Sequence, residues 1–223
     1  MNNVDFSKVR ALIFDLDGTL IDSKRDLVTS VNAMLRTVGR SELPEHTIAS
    51  YVGSGASVLV KRALGREAGE EQVQKALAVF LAHYEEHELD TTRAYPGVNE
   101  TLPKLARYPL AVLTNKPWRI SVRILEGLGL LRYFKSIYGG NSFETKKPDP
   151  LGAQTILREF DVEPEQALMV GDSEVDVQTA RNAGMSAAIV NYGFGTHDRQ
   201  AYPADTYLDK FEEVLPLLNH ETS

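Results

Sequence analysis

Two aspartates one residue apart, Asp15 and Asp17, follow the apolar run Ala11-Leu12-Ile13-Phe14 and precede Gly18-Thr19. Carboxylates at this spacing can share the work of a displacement. One attacks phosphorus and carries the group as an aspartyl-phosphate, which splits one hard step into two. The other protonates a leaving oxygen and later deprotonates water. Gly18 permits a sharp turn whose backbone N–H groups can cradle phosphoryl oxygens. Taken alone, the same residues also suit a calcium loop or a solvated acidic turn.

Three further groups carry chemistry of the same kind. Asp172, after Gly171, ends the apolar run Ala167-Leu168-Met169-Val170, and Asp176 lies one helical turn on, on the same face. Two hard oxygen ligands with room for water suit Mg²⁺, although acids also favour a helix start for their own sake. Thr114-Asn115-Lys116 offers a hydroxyl and amides to an anion where Leu110-Ala111-Val112-Leu113 ends. Lys146-Lys147-Pro148-Asp149-Pro150 offers two ammonium groups before a proline. Each of these alone also reads as an ordinary turn or charged loop.

The elements that would position these residues follow from hydrophobic pattern. Short apolar runs at 11–14, 110–113, 167–170 and 187–190, with a weaker one at Ser136-Ile137-Tyr138, read as parallel strands buried on both faces. Helical patterns at Arg119–Leu128, Pro150–Phe160 and Glu174–Ala183 alternate with them, so the chain is expected to be α/β, a doubly wound parallel sheet. Ligands of such sheets sit at the carboxyl ends of the strands, where Asp15, Thr114 and Asp172 fall. Residues 22–92 break the alternation with four helical patterns. Leu27 to Val38 forms the first, with Ser23 and Asp26 as its capped start; Pro44 opens the second; Val58 to Ala63 and Val73 to Tyr84 form the others. A crossover needs only about a dozen residues, so 22–92 is expected to be an inserted all-helical cap domain, and 1–21 with 93–223 the core domain. Pro103 falls inside the helix expected from Val98 to Ala106, which should start late or kink there.

Composition narrows the function. The chain has 223 residues, 24 Lys and Arg against 31 Asp and Glu, a net charge of −7 and no cysteine. That balance argues against non-specific binding of nucleic acid or of anionic membranes, and no thiolate metal site or cysteine nucleophile is possible. No run is long enough to span a membrane. Met1 to Arg10 has no signal-like apolar stretch, so the expected location is the cytoplasm.

Taken together and in order, Asp-x-Asp-Gly-Thr, Leu-Thr-Asn, Lys-Pro and Gly-Asp-x-x-x-Asp resemble the motifs of the haloacid dehalogenase-like superfamily, across essentially the whole chain, helical insert included. The wider pattern is most similar to phosphoglycolate phosphatases: Phe14 to Ser23, the Tyr51-Val52-Gly53-Ser54-Gly55 turn, Leu113 to Pro117, Lys147 to Pro150, and Val170 to Asp176. The resemblance implies Mg²⁺ as cofactor. Asp15 would be nucleophile and metal ligand, and Asp17 the general acid/base with its carbonyl on the metal. Thr114 would hold a phosphoryl oxygen, and Lys147, rather than Lys146, would pair with Asp15 and the phosphate. Asp172 would be a metal ligand supported by Asp176. True dehalogenases lack the second aspartate, β-phosphoglucomutases usually carry an arginine where Gly55-Ala56 stand, and phosphonatases need a cap lysine for which Lys61 is poorly placed.

The expected activity is therefore phosphomonoester hydrolysis of a small anionic ester, first 2-phosphoglycolate, then another small ester or pyrophosphate such as a sugar phosphate. A receiver-like phosphoacceptor module also uses Asp and Mg²⁺ on such a sheet, but the insertion and Asp17 speak against it; an inactive scaffold would have lost a motif residue, and none is missing. The substrate's carboxylate is expected to meet backbone N–H groups of Gly53, Ser54 and Gly55, helped by Lys116, Lys61 or Arg62. The remaining candidates are read plainly. His46, His83, His87, His197 and His220 share no metal-ligand spacing, and His83 and His87 are expected at the surface. Trp118 is expected to pack beside the site, and Tyr192-Gly193-Phe194-Gly195 either to border the pocket or, as the preferred reading, simply to connect elements. Oligomeric state is not legible.

Overall fold

The computed structural model describes residues 4–195 and 197–218, so His220 lies outside them. Six strands, β1 (Ala11–Phe14), β4 (Leu110–Leu113), β5 (Ser136–Tyr138), β6 (Ala167–Gly171), β7 (Ser186–Val190) and β8 (Thr206–Leu208), form one parallel sheet in the order β5-β4-β1-β6-β7-β8. Each of the five apolar runs is a strand. Two short strands, β2 (Ile21–Asp22) and β3 (Arg93–Ala94), pair antiparallel as a separate ribbon. β8 and this ribbon were not expected, since two or three residues carry too little periodicity to be seen.

Side chains alternate across the sheet and separate its two faces. Ala11, Ile13, Ala111, Leu113, Met169 and Ile189 pack under α7 (Leu151–Phe160) and α8 (Glu174–Ala183). Leu12, Phe14, Val112, Leu168, Val170 and Val190 face the other way, against α6 (Trp118–Gly127) and α9 (Val214–Leu218). The sheet is therefore covered on both sides, the doubly wound α/β arrangement expected. α5 (Val98–Thr101) neither starts late nor kinks at Pro103. It ends after one turn, and Leu102–Leu105 continues as a 3₁₀ turn. That tighter form avoids the clash between the proline ring and a carbonyl four residues back.

Between β2 and β3 lie four helices, α1 (Lys24–Thr37), α2 (Glu45–Ala49), α3 (Ala56–Leu64) and α4 (Glu70–His87). Val31, Met34 and Leu35 of α1 bury against the α4 face that carries Phe80 and Tyr84, whose rings stack at 5.6 Å. No described helix is long and apolar enough to cross a membrane.

The start of α1 departs from expectation. Ser23 is its N-cap residue but makes no side-chain cap bond; its hydroxyl donates to Asp17 instead. Asp26 is buried and accepts hydrogen bonds from the N–H and hydroxyl of both Thr91 and Thr92, at 2.5 to 3.1 Å. One carboxylate thus ties the first turn of the insertion to its exit. Burial pulls the Asp26 pKa up, but the four donors outweigh it and hold it below the ordinary value. Asp26→Ala should cost about 2–3 kcal/mol in denaturant unfolding, because it strands buried donors. Since the folded pKa is depressed, this stabilisation is complete above about pH 4 and is lost as pH falls through the folded value. The gap between wild type and variant should accordingly close in acid.

Candidate active site

Asp15 ends β1 and is buried. Its N–H donates to the Val170 carbonyl, and its Oδ1 accepts from Leu16 N–H at 2.7 Å. The turn that follows is possible only with glycine. Gly18 has φ of +81°, and a Cβ there would lie 1.9 Å from Asp172 Oδ2, so the turn after β1 packs directly on the carboxylate after β6.

Lys147 joins the carboxylates. Its Nζ, almost wholly buried, lies 2.9 Å from Asp15 Oδ1 and 2.7 Å from Asp176 Oδ1. Lys146 is exposed. The other oxygen of Asp176 accepts from Ser173 N–H and Oγ at 3.1 and 2.8 Å, so both of its oxygens are engaged and it anchors Lys147. Asp172 Oδ2 accepts from Phe194 and Gly195 N–H at 3.0 and 2.6 Å. The Tyr192 hydroxyl donates to Thr19 O at 2.9 Å. The 192–195 segment therefore packs on the carboxylate cluster, the less preferred of its two readings, rather than serving as a simple connector. Its N–H groups point at Asp172, which no side-chain pattern could announce.

Asp15, Asp172 and Asp176 bring carboxylate oxygens within 4.8 Å of one another, the one such His, Cys, Asp or Glu group of three among the described residues. Burial pushes the Asp15 pKa up to about 6, with Lys147 pulling it down and Asp176 adding to the rise. Burial, followed by the charges of Asp176 and Asp15, drives Asp172 well above the ordinary range. Burial lowers Lys147, but the two carboxylates outweigh it and hold its pKa up. Three buried carboxylates with one ammonium are short of positive charge. The donor set is all oxygen, so a hard divalent cation fits it in both charge and ligand type.

Asp17 takes a separate position. Lys116 Nζ donates to its two oxygens at 2.9 and 3.1 Å, and to the Tyr84 hydroxyl at 2.6 Å. Tyr84, whose spacing announced only a packing residue of α4, is brought to the site, as is Ser23. Thr114 is buried at the end of β4 and, with Asp15, Asp17, Asn115 and Lys116, lines a cavity under the insertion. Asn115 has no amide hydrogen to spare for that space. Its Nδ2 donates to Gly53 O and Lys147 O at 2.9 and 3.0 Å, fastening the 51–55 turn to the core.

Gly53 and Gly55 line the cavity, and its lining leaves out Ser54, Lys61 and Arg62. Lys61 and Arg62 are exposed on α3, with Arg62 donating to Tyr51 O. Of the three cations expected near the substrate, only Lys116 lines this cavity. Gly55 has φ of +92°, and a Cβ on it would meet Lys146 Nζ at 2.9 Å and Asn115 O at 3.2 Å, so the turn fits closely on the core loops. Trp118 is 45% exposed, not packed as expected, with its indole N–H donating to Ile137 O. His83 and His87 are half-buried, their rings tilted to one another at 4.3 Å, with His83 against Ser30 and His87 against Asp90.

This fold, with an aspartate pair after β1 and aspartates after β6, defines a class, and the chain belongs to the haloacid dehalogenase-like hydrolase family, whose pattern matches residues 12–190. Within that family it is 40% identical over 216 residues to phosphoglycolate phosphatase 1 of Pseudomonas aeruginosa, covering 93% of this chain and 79% of the relative. It is 41% identical over 218 residues to a phosphoglycolate phosphatase of Psychrobacter arcticus, covering 93% and 94%. A crystal structure described as a predicted phosphoglycolate phosphatase from Haemophilus somnus superposes with a TM-score of 0.89 at 32% identity, covering 95% of this chain and 99% of that one.

Proposed function

We propose that this chain is a Mg²⁺-dependent phosphatase that converts 2-phosphoglycolate to glycolate and phosphate through an aspartyl-phosphate on Asp15. Residues 22–92 act as the lid, and residues 1–21 with 93–223 as the core. The observation that carries the substrate assignment is the cavity under the lid. It measures about 40 Å³ and is walled by Leu27, Val52, Leu59, Phe80, Pro117 and Ile120, with Lys116 as its ammonium group. Such a volume takes on the order of three water-sized groups. That suits a two-carbon tail ending in one negative charge. A sugar ring would set several hydroxyls against these mostly apolar walls, where they would lack partners.

Asp15, Asp172 and the Asp17 carbonyl would hold Mg²⁺, with Asp176 supporting them. The ion supplies positive charge against the phosphoryl oxygens and the crowded carboxylates. Thr114 and Lys147 hold the phosphoryl group. An Asp15 oxygen forms a bond to phosphorus while the ester P–O bond breaks, and the Asp17 proton goes to the departing glycolate oxygen. Asp17 then takes a proton from water, whose oxygen attacks phosphorus and returns Asp15 with release of phosphate. The lid excludes bulk water from the first step.

A panel of phosphate esters tests this reading. 2-Phosphoglycolate should give the highest kcat/KM, ahead of glucose 6-phosphate and pyrophosphate, and activity should vanish in excess EDTA and return with Mg²⁺. A sugar phosphate leading the panel would move the assignment to that ester.

A further inference from the structure

Lys116 is a fully committed cation. An ammonium has three donors, and here two go to Asp17 and the third to Tyr84. Its side chain is 3% exposed, and the cavity around it is mostly apolar. Lys147, the other buried lysine, is engaged by Asp15 and Asp176. A carboxylate that enters under the lid is buried, and a buried carboxylate without a partner is very costly. Lys116 is the ammonium within the cavity lining that can receive it.

Tyr84 supplies the second contact. Its hydroxyl oxygen accepts from Lys116, and its own proton, with the Ser23 hydroxyl as its neighbour, can turn to an incoming acceptor. Burial, and then the charges of Asp17, Asp26 and Glu88, keep that proton on the phenol at any working pH. The ring is held against Phe80 at an interplanar angle of 10°, so the hydroxyl is fixed in place by α4.

We propose that Tyr84 from the lid and Lys116 from the core form a two-point reader of the substrate's carboxylate, and that Lys116, because it also holds Asp17, makes this reading a condition of turnover. The inference rests on the carboxylate-ester function proposed above. The incoming carboxylate must take over at least one donor that Lys116 spends on Asp17. One Asp17 contact then opens, and its carboxyl group is free to turn toward the leaving oxygen. An ester without the carboxylate leaves both contacts closed, and Asp17 stays turned toward Lys116 and Ser23. Lys116 and Tyr84 therefore act on the chemical step as well as on binding.

The test compares kcat and KM for 2-phosphoglycolate with those for ethyl phosphate, which has the same length but no charge at that end. The full chain is assayed with Mg²⁺ as wild type, Tyr84→Phe and Lys116→Met. Wild type should prefer 2-phosphoglycolate by about 100-fold or more, mostly in kcat, because the carboxylate's entry frees Asp17 for the proton transfer of the chemical step. In Tyr84→Phe the loss on 2-phosphoglycolate should exceed the loss on ethyl phosphate by about tenfold, the worth of a hydrogen bond to a charged group. Lys116→Met should erase most of the preference. Tyr84→Phe keeps the ring and its stack, so it carries the test if Lys116→Met melts too low to assay. Equal losses on both esters, or a preference confined to KM, would overturn the inference while the proposed function stands. A wild type active on other esters, with no preference for 2-phosphoglycolate, would overturn both.

Discussion

Asp15→Asn should abolish turnover, with a loss of at least about 10⁴-fold in kcat, and leave no phosphorylated protein. The amide has no charged oxygen to attack phosphorus, and no other carboxylate can take its place. Asp176 has both oxygens engaged, by Lys147 and Ser173. Asp172 is held by the N–H groups of Phe194 and Gly195. Asp17 is turned to Lys116 and Ser23. A structural explanation of the loss is excluded by a second measurement. The charge of Asp15 raises the pKa of Asp172, so neutralising it relieves repulsion, and the variant should melt no lower than wild type in the absence of metal. Rapid quench with labelled substrate followed by proteolysis should find label on Asp15 in wild type and none in the variant. Label recovered on another residue would overturn the nucleophile assignment.

The parts of this site that were legible in the sequence are those placed by parallel strands. Such strands are buried on both faces, so they read as uninterrupted apolar runs, and a polar residue at the end of one stands out. Asp15, Thr114 and Asp172 stood out as candidates in that way, and each does follow a strand of the sheet, whose doubly wound form was read from the alternation of runs with helical patterns. The illegible parts have three physical causes. Some contacts use the backbone, such as the Phe194 and Gly195 N–H groups on Asp172, and leave no side-chain signature. Some side chains serve two purposes at once: Tyr84 has the spacing of a packing residue because its ring does pack on Phe80, while its hydroxyl reaches Lys116. Others are diverted from a local role to a distant one. Asp26 and Ser23 have the form of a helix cap, but Asp26 is spent on Thr91 and Thr92, 65 and 66 residues away, and Ser23 on Asp17. Asn115 is a similar case, since its amide suits an anion and is used to fasten the 51–55 turn.

Asp17→Asn should lower kcat for 2-phosphoglycolate by roughly 10²–10⁴-fold, the range of a lost general acid/base, and the pattern across esters should identify the lost step. Glycolate leaves as an alkoxide unless it is protonated, so the first transfer fails with the natural type of ester. p-Nitrophenol is a far better leaving group and departs without help, so Asp15 can still be phosphorylated by p-nitrophenyl phosphate. The water that must then attack has no base, and the phospho-enzyme accumulates. The variant should therefore release about one equivalent of p-nitrophenol per protein in a burst and then turn over slowly, whereas with 2-phosphoglycolate no burst of glycolate should appear. The substitution also changes the lid. Asparagine keeps one acceptor for Lys116 but not its charge, which leaves a buried ammonium with only neutral partners, the amide oxygen and the Tyr84 hydroxyl. Lys116 is then less well compensated, and a carboxylate ligand should bind the variant at least as tightly as wild type. KM for 2-phosphoglycolate should consequently stay level or fall while kcat collapses. A rise in KM with kcat retained, or an equal loss on both esters with no burst, would take proton transfer away from Asp17 and leave it a role in holding Lys116.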